Sequence, residues 1–298
     1  MGSEMCIRDR YEAVRSLLPT AKMPEQSMHA ANLSALADRF DVFLLDAFGV
    51  LNVGEMAIDG AAQRVRFLQE MGKRVLVLTN GARHPAEQAQ QKFSTLGFSF
   101  DLADIVSSRD ALKAALRMPP QGRFWGVMCS EDSQIETLSV PWCRLEDDGS
   151  IYDEAFGFLL MSASEWTDAS LALLRESLAK VPRPVMVGNP DIVAPREDHL
   201  SLEPGYYAYE LSRTIGLNAE FFGKPFANIY DLAFGRLGSV DPSRVVMVGD
   251  TLHTDVLGGA AYGVKTVLVT DHGLFAGCDP ASLIAATRIV PDFVIPTI

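Results

Sequence analysis

The sequence is poor in cysteine and contains no long apolar run. Its four cysteines, Cys6, Cys129, Cys143 and Cys278, lie far apart and form no Cys-x-x-Cys pair. This spacing predicts free thiols in a reducing compartment. No apolar stretch approaches the roughly 18 residues that a membrane-spanning helix needs. Residues 1–10 are polar and lack the apolar region of a signal peptide. They resemble an artefact of expression or sequence assembly and carry no part of the predicted fold. These absences predict a cytoplasmic protein with no membrane partner.

Positive charge is also scarce. The chain carries 26 Lys and Arg against 38 Asp and Glu, a formal net charge of −12. This balance argues against nucleic acid or an anionic membrane as the main partner. It leaves a phosphorylated metabolite open, because a bound cation can outweigh the global charge within a site. With 298 residues, 48% of them hydrophobic, the chain is long enough for two domains with a sizeable core.

Buried strands and helices alternate along the chain. The stretch 41–51 opens with an apolar run that does not alternate with polar residues, which is typical of a strand covered on both faces. Further strands are predicted at 74–80, 104–108, 244–250 and 265–269, the last of which we expect to close the sheet, and helices at 58–72, 85–96, 109–118, 227–237 and from Thr254 to Gly263. Residues 11–40 are predicted to be a mainly helical lead-in. This alternation predicts an α/β fold with a Rossmann-like, doubly wound parallel sheet.

A second α/β unit is predicted to interrupt this sheet. The Pro- and Gly-rich breaker at 118–122 marks a boundary, after which strand–helix alternation restarts and continues to about residue 219. The chain then divides into a first core segment, 11–118, an inserted unit, 119–219, and a second core segment, 220–298. Within the insertion, the polar segment 192–205 is long for an ordinary connection, which indicates a functional loop.

Three predicted strands end in polar side chains: Asp46, the pair Thr79-Asn80, and Asp250. If the strands are parallel neighbours, these ends converge at the sheet edge where open α/β sheets bind ligands. Asp250 and Asp255 suit a hard cation such as Mg²⁺, and Lys224 with Thr79 suits a phosphate. Together they predict phosphoryl transfer to a carboxylate. Taken singly, each motif is as typical of a turn or a surface loop.

Four stretches resemble the motifs of the haloacid dehalogenase-like (HAD) hydrolase superfamily, and within it the NagD-like phosphatases of subclass IIA. The resemblance runs from about Asp41 to about Gly273 and rests on these stretches in order: Gly49-Val50-Leu51, Leu78-Thr79-Asn80, Gly223-Lys224-Pro225 and Gly249-Asp250-Thr251-Leu252-His253-Thr254-Asp255. The segment Gly188-Asn189-Pro190-Asp191 resembles part of the inserted cap of this subgroup. The resemblance implies a HAD core with an α/β cap domain and cap surfaces that can pair two copies. It also implies that the substrate is a small phosphorylated metabolite, namely a sugar phosphate, pyridoxal phosphate or a phosphoglycolate-like phosphomonoester.

The resemblance also implies a role for each matched position. Asp46 would be the nucleophile and a Mg²⁺ ligand, Lys224 the catalytic cation that also binds phosphate, and Thr79 and Asn80 phosphate-binding residues. Asp250 would be a Mg²⁺ ligand, Asp255 would brace the metal site, and the backbone carbonyl of Phe48 would be a further ligand. In the cap, Asn189, Pro190 and Asp191 would contact the substrate.

One position departs from the family pattern. Phosphatases of this family carry a second Asp two residues after the nucleophile as general acid/base, and here that position is Phe48. A phenyl ring cannot transfer a proton, and general acid–base help is worth about 10²–10⁴-fold. Hydrolysis is therefore expected to be slow, to use a different acid, or to be lost. Two alternatives stay open. One is a non-catalytic protein that binds a phosphometabolite. The other is a 2-haloacid dehalogenase, because Asp46-Ala47-Phe48-Gly49 resembles the nucleophile motif of those enzymes.

Overall fold

The structure, a computed structural model, describes the backbone of residues 2–195 and 200–298 and the side chains of residues 7–194 and 200–298. The side chain of Cys6 and part of the predicted loop 192–205 lie outside the described residues. Among the helices that are described, none is long and apolar enough to cross a membrane.

The strands are short and follow one another along the whole chain. In chain order they are β1 (Met28–His29), β2 (Val42–Leu45), β3 (Asn52–Val53), β4 (Met56–Ala57), β5 (Arg74–Thr79), β6 (Ile105–Ser107), β7 (Trp125–Met128), β8 (Trp142–Arg144), β9 (Gly157–Leu160), β10 (Val185–Val187), β11 (Val193–Pro195), β12 (Leu200–Leu202), β13 (Glu220–Phe221), β14 (Val245–Gly249), β15 (Lys265–Val269) and β16 (Phe293–Ile295).

Helices connect most of these strands. They are α1 (Gly2–Ala13), α2 (Ala61–Glu70), α3 (Ala86–Thr95), α4 (Ser108–Ala115), α5 (Gly149–Glu154), α6 (Asp168–Lys180), α7 (Pro204–Ile215), α8 (Ala227–Leu237), α9 (Leu257–Tyr262) and α10 (Pro280–Thr287). A π-helical turn, Leu252–Val256, precedes α9, and 3-10 turns lie at Arg15–Leu17, Leu33–Arg39, Leu102–Asp104, Ile135–Leu138 and Pro242–Arg244.

The main sheet has seven strands in the order β1-β16-β15-β14-β2-β5-β6, and all its neighbours pair in parallel. From β2 the chain first winds outward through β5 and β6, and later returns through β14 to wind the other way. The direction of winding therefore reverses between β2 and β14. In a doubly wound sheet this reversal opens a crevice at the carboxyl ends of the two strands, so the predicted Rossmann-like fold is confirmed.

Strand β2 lies at the centre of this sheet because both of its faces are apolar. Phe43 and Leu45 point into one buried cluster, which includes residues of α2 and α3. Val42 and Leu44 point into the opposite cluster, together with residues of α4 and α8. All four β2 side chains are buried, which explains the apolar run without polar alternation.

A second sheet is built from the inserted segment. Its five strands, in the order β13-β10-β9-β7-β8, are also parallel. One face packs on α5, α6 and α7. The other face contributes Val127, Leu159 and Met186 to the same cluster that contains Leu44 and Met247 of the main sheet. The two sheets thus share one continuous buried core.

The predicted domain boundaries at 118/119 and 219/220 stay a prediction. Strand β13 lies just past the second boundary and pairs with the second sheet.

Three details differ from the sequence prediction. The lead-in 11–40 is only partly helical, because Pro19 and Pro24 interrupt any helix there, and β1 within it forms an edge of the main sheet. Strand β15 does not close the sheet, since β16 and β1 lie beyond it. Both added strands are too short to give a periodic pattern. Residues 192–205 hold the antiparallel hairpin β11–β12 and the start of α7.

Candidate active site

The reversal point of the main sheet places two carboxylates side by side. Asp46 follows β2 directly, and its backbone N–H donates to the carbonyl of Val248 in β14 at 2.8 Å. Asp250 likewise follows β14 directly. Parallel pairing of these strands in register is what brings together two residues that lie about two hundred positions apart in the sequence.

Asp255 completes a cluster of three acids. It lies in the π-helical turn that follows Asp250, and ligand oxygens of Asp46, Asp250 and Asp255 all lie within 4.8 Å of one another. Asp250 and Asp255 are buried, and Asp46 is partly exposed. Within the described part of the chain, the structure therefore unites the three carboxylates that the sequence proposed for a metal site.

Lys224 supplies a buried positive charge to this cluster. Its side chain is 2% exposed, and its Nζ lies 2.7 Å from Oδ1 of Asp46 and 2.7 Å from Oδ1 of Asp255. Burial disfavours the ammonium charge, but attraction from Asp255 and Asp46 outweighs this and raises the pKa of Lys224. Lys224 is therefore a fixed cation that lies between Asp46 and Asp255.

One lysine does not balance three acids. Burial, with repulsion from Asp255 and then Asp46, raises the pKa of Asp250 well above its ordinary value. Burial raises the pKa of Asp255 to about 7, although Lys224 opposes the shift. Clustered, buried carboxylates with this surplus of negative charge fit a divalent cation, and all-oxygen donors suit a hard ion. The donor set thus fits a hard divalent cation.

Two glycines make room for Asp250. Gly49 and Gly273 both adopt positive φ, of +75° and +84°. A Cβ at Gly49 would lie 2.6 Å from Cγ of Asp250, and one at Gly273 would lie 1.9 Å from its Oδ2. The next residue, Leu274, donates its backbone N–H to the same Oδ2 at 2.6 Å. Sequence reasoning assigned no role to Gly273 and Leu274; the only signal there is a glycine in the polar loop after β15.

The residues after β5 divide into two environments. Thr79 is partly exposed, and its Oγ1 accepts a hydrogen bond from the Gly81 backbone N–H at 3.1 Å. Asn80 is buried, and its Nδ2 donates to Oδ1 of Asp191 at 2.9 Å and to the carbonyl of Lys224 at 2.8 Å. The side-chain N–H donors of Asn80 are thus engaged by protein groups. A phosphate contact from Asn80, which stays a prediction, would have to use its backbone N–H.

Asp191 comes to the same region from the second sheet. It lies just beyond β10, in the segment Asn189-Pro190-Asp191, and its backbone N–H donates to Oδ1 of Asn189 at 3.0 Å. Asn189 in turn donates from Nδ2 to Glu203 at 3.1 Å. Of the three cap residues proposed from the sequence, Asp191 is hydrogen-bonded to a main-sheet motif, and the Pro190 ring lies beside Gly223, where an added Cβ would stand 3.0 Å from Pro190 Cδ. The substrate contacts proposed for all three stay predictions.

Two protein-family models match this chain. The model described as haloacid dehalogenase-like hydrolase matches residues 43–139, and one described as HAD-hydrolase-like matches residues 221–298. Together they cover more than half of the chain and contain Asp46, Asp250, Asp255 and Lys224, which form the acidic cluster and its lysine.

This chain belongs to the haloacid dehalogenase-like hydrolases.

Individual relatives agree with this assignment. An acid sugar phosphatase of Staphylococcus haemolyticus is 28% identical over 228 residues, which is 76% of this chain and 84% of the relative. A crystal structure from Cytophaga hutchinsonii, described as a possible sugar phosphatase of the HAD superfamily, is 25% identical with a TM-score of 0.77, covering 93% of this chain and 98% of the other. A p-nitrophenyl phosphatase from Archaeoglobus fulgidus shares the fold, with 21% identity, a TM-score of 0.73 and coverage of 87% and 96%.

Phe48 is the feature in which this HAD-like hydrolase departs from the phosphatase motif. Its side chain is partly buried in the turn after β2. In this turn the backbone N–H of Leu51 donates to the Ala47 carbonyl at 2.8 Å. The following residue, Gly49, packs against Asp250, so the Phe48–Gly49 peptide lies beside the acidic cluster. The backbone carbonyl of Phe48 as a metal ligand stays a prediction. The expected effect of Phe48 also stays a prediction: hydrolysis that is slow, uses a different acid, or is lost.

Proposed function

We propose that this protein is a metal-dependent phosphatase that hydrolyses a small phosphomonoester through an aspartyl-phosphate on Asp46. The observation that carries the proposal is the contact of one lysine with two acids: Nζ of Lys224 lies 2.7 Å from both Asp46 and Asp255. This arrangement offers a carboxylate nucleophile together with a cation that can neutralise both the nucleophile and the phosphate. The named relatives, an acid sugar phosphatase and a possible sugar phosphatase, support a sugar phosphate as the substrate class.

In this mechanism each residue has a separate task. Asp46 attacks phosphorus, Lys224 offsets the negative charge of the incoming phosphate, and Thr79 with the backbone N–H of Asn80 holds the phosphate oxygens. Asp46, Asp250 and the Phe48 carbonyl would hold a divalent cation, for which we propose Mg²⁺. Asp255 would support this metal site, and its own Oδ2 is held by the Thr251 backbone N–H at 3.1 Å. When bound, the cation would supply further charge stabilisation to the transferring phosphoryl group.

The acidic cluster favours this function over dehalogenation. Attack on carbon needs no metal, whereas Asp250 and Asp255 are buried acids whose charges strongly oppose each other without a cation. A binding protein without turnover would retain the same cluster, so only an assay separates it from an enzyme. We propose that the insertion acts as the cap over the site and that Asn189, Pro190 and Asp191 face the substrate.

The test is a panel of phosphorylated metabolites, p-nitrophenyl phosphate and 2-haloacids, each assayed with Mg²⁺ and with a chelator. We expect phosphate release that requires the metal and is lost in Asp46→Asn. Asp59→Asn is the matched control, because Asp59 is an exposed carboxylate outside the site. Acid quench followed by mass spectrometry should place one phosphoryl group on the Asp46 peptide. Chloride release without metal would replace the proposal with dehalogenation, and binding without release would replace it with a binding role.

A further inference from the structure

The leaving group of the proposed reaction needs a proton. In-line displacement by Asp46 expels the leaving oxygen on the side of phosphorus opposite Asp46. An alkoxide is a poor leaving group unless it is protonated as the bond breaks. Position 48, where the family motif places the proton donor, is a phenylalanine. A proton donor that another part of the chain brings to the site would meet this need.

The inserted segment brings one carboxylate, Asp191, into contact with a motif residue of the main sheet. Asp191 follows the carboxyl end of β10, and its Oδ1 accepts from Asn80 Nδ2 at 2.9 Å. Asn80 also donates to the backbone carbonyl of Lys224, and the Nζ at the other end of that lysine contacts Asp46. Asp191 is therefore two residues removed from Asp46 along a chain of direct contacts. The residue as a whole is partly exposed, although its carboxyl group is buried.

The backbone on both sides of Asp191 is fixed. Asn189 accepts its N–H at 3.0 Å, and the next residue, Ile192, donates its N–H to the Tyr11 hydroxyl at 3.3 Å. Gly205, at the start of α7, lies so close that a Cβ there would stand 2.1 Å from the Pro190 carbonyl oxygen. A catalytic group needs this kind of support, because proton transfer depends on a held geometry.

Several charged and titratable groups face Asp191. Burial, with repulsion from Asp46 and Glu203, raises the pKa of Asp191 to about 7, while the Asn80 hydrogen bond and Lys224 oppose the shift. The phenols of Tyr11 and Tyr209 also lie nearby. A carboxyl with such a pKa is present in both forms near neutral pH, which suits a group that must give a proton and then take one back.

We propose that Asp191 is the catalytic acid and base of this enzyme, in place of the carboxylate that is absent at position 48. The inference rests on the proposed phosphatase function. In the first half-reaction Asp46 forms a bond to phosphorus, the bond from phosphorus to the leaving oxygen breaks, and that oxygen takes its proton from Asp191. In the second, Asp191 takes a proton from water, the water oxygen bonds to phosphorus, and the bond to Asp46 breaks, releasing phosphate.

The experiment compares two leaving groups in Asp191→Asn. Asparagine keeps the shape and can still accept the Asn80 hydrogen bond, but it cannot donate a carboxylic proton. For an alkyl phosphate such as a sugar phosphate, we expect kcat/KM to fall by about 10²–10⁴-fold. For p-nitrophenyl phosphate, whose leaving group is a stable anion, the rate of Asp46 phosphorylation, followed as the nitrophenolate burst, should change little. Asp132→Asn is the matched control, because Asp132 is a carboxylate of the inserted segment paired with Arg83.

A second measurement needs no variant. In the wild-type enzyme, kcat/KM for the alkyl phosphate should fall above about pH 7 as Asp191 loses its proton, and kcat/KM for p-nitrophenyl phosphate should not show this limb. Equal losses for both substrates in Asp191→Asn, or a shared alkaline limb in the wild type, would overturn the acid–base role and leave Asp191 a structural residue. If the wild type released no phosphate, or Asp46→Asn retained activity, the proposed function itself would fail.

Discussion

Asn80 and Lys224 hold each other through two hydrogen bonds that run in opposite directions. The Lys224 backbone N–H donates to Oδ1 of Asn80 at 2.7 Å, and Nδ2 of Asn80 donates to the Lys224 carbonyl at 2.8 Å. The pair joins the end of β5 to the segment that returns the chain from the inserted sheet. Because Asn80 also contacts Asp191, one buried amide fixes both Lys224 and the proposed acid.

Asn80→Ala should therefore lower both stability and activity. It leaves the buried N–H and C=O of Lys224 unpaired, which costs about 1–3 kcal/mol for each buried unsatisfied group. Urea denaturation measures this loss, and steady-state kinetics measures the accompanying fall in kcat. The control is Asn228→Ala, since Asn228 pairs with Gly223 and Phe221 in the same segment without contacting the lysine. Equal losses of kcat in the two variants would contradict the role given to Asn80.

Lys224→Met should destabilise the protein most strongly when no metal is present. The substitution leaves buried carboxylates without their cation, and removing one partner of a buried ion pair costs about 3–5 kcal/mol. We expect Mg²⁺ to restore part of this loss, as measured by denaturation in Mg²⁺ and in a chelator. Lys265→Met is the control: its pair with Asp292 is half-exposed and should contribute at most about 1 kcal/mol. No difference between the two variants would argue against a charge-balancing lysine.

Gly273→Ala should impair metal binding, and Gly277→Ala should not. Both glycines adopt positive φ, of +84° and +81°, but a Cβ at Gly273 meets Asp250 whereas one at Gly277 meets nothing within 4 Å. The strain of a positive φ is thus common to both, and only Gly273→Ala displaces a ligand carboxylate. Disturbing such support typically costs 10–100-fold in metal affinity, which calorimetry with Mg²⁺ can measure. Equal affinities would place the cation away from Asp250.

The contribution of Asp191 to stability should decrease as the pH rises from about 4 to about 7. Its pKa is raised from 3.8 to about 7 in the folded protein, so in this window the folded state binds the proton and the unfolded state does not. Unfolding free energy then falls with increasing pH. The difference between wild type and Asp191→Asn should change by at most about 4 kcal/mol, at about 1.4 kcal/mol per pKa unit, and by less because the residue is partly exposed. A difference that rises with pH would be contrary to a raised pKa.

Phe48→Asp should restore a proton donor at the position where the family motif carries one. We expect it to raise hydrolysis of alkyl phosphates, and to rescue Asp191→Asn in the double variant, because either carboxylate then meets the same need. Metal and substrate binding are measured in parallel by calorimetry. If Phe48→Asp binds metal and substrate but does not raise hydrolysis in the wild type or in Asp191→Asn, the absence of a proton donor at position 48 is not what limits the reaction.

The predictable part of this site lies in local patterns. Apolar runs that stop abruptly at Asp46 and Asp250 indicate strand ends, and the alternation of strands and helices indicates which edge they share. The contact between Asn80 and Asp191 spans 111 positions and has no local signature, because it depends on how the second sheet sits on the first. Leu274 was missed for a similar reason, since a backbone donor leaves no trace in residue identity. Strands β1 and β16 are held by pairing with their neighbours rather than by any periodic pattern of their own.

The buried cluster shared by the two sheets bears on how this enzyme could be dissected. Residues such as Leu44 and Met247 pack in the same cluster as Leu159 and Met186, so excising the insertion would expose an apolar face of the remainder to water. We therefore expect one cooperative unfolding transition and no soluble minimal core. Exchanging the insertion between relatives would require that face to be redesigned with it, which makes the insertion an integral part of the protein rather than a portable module.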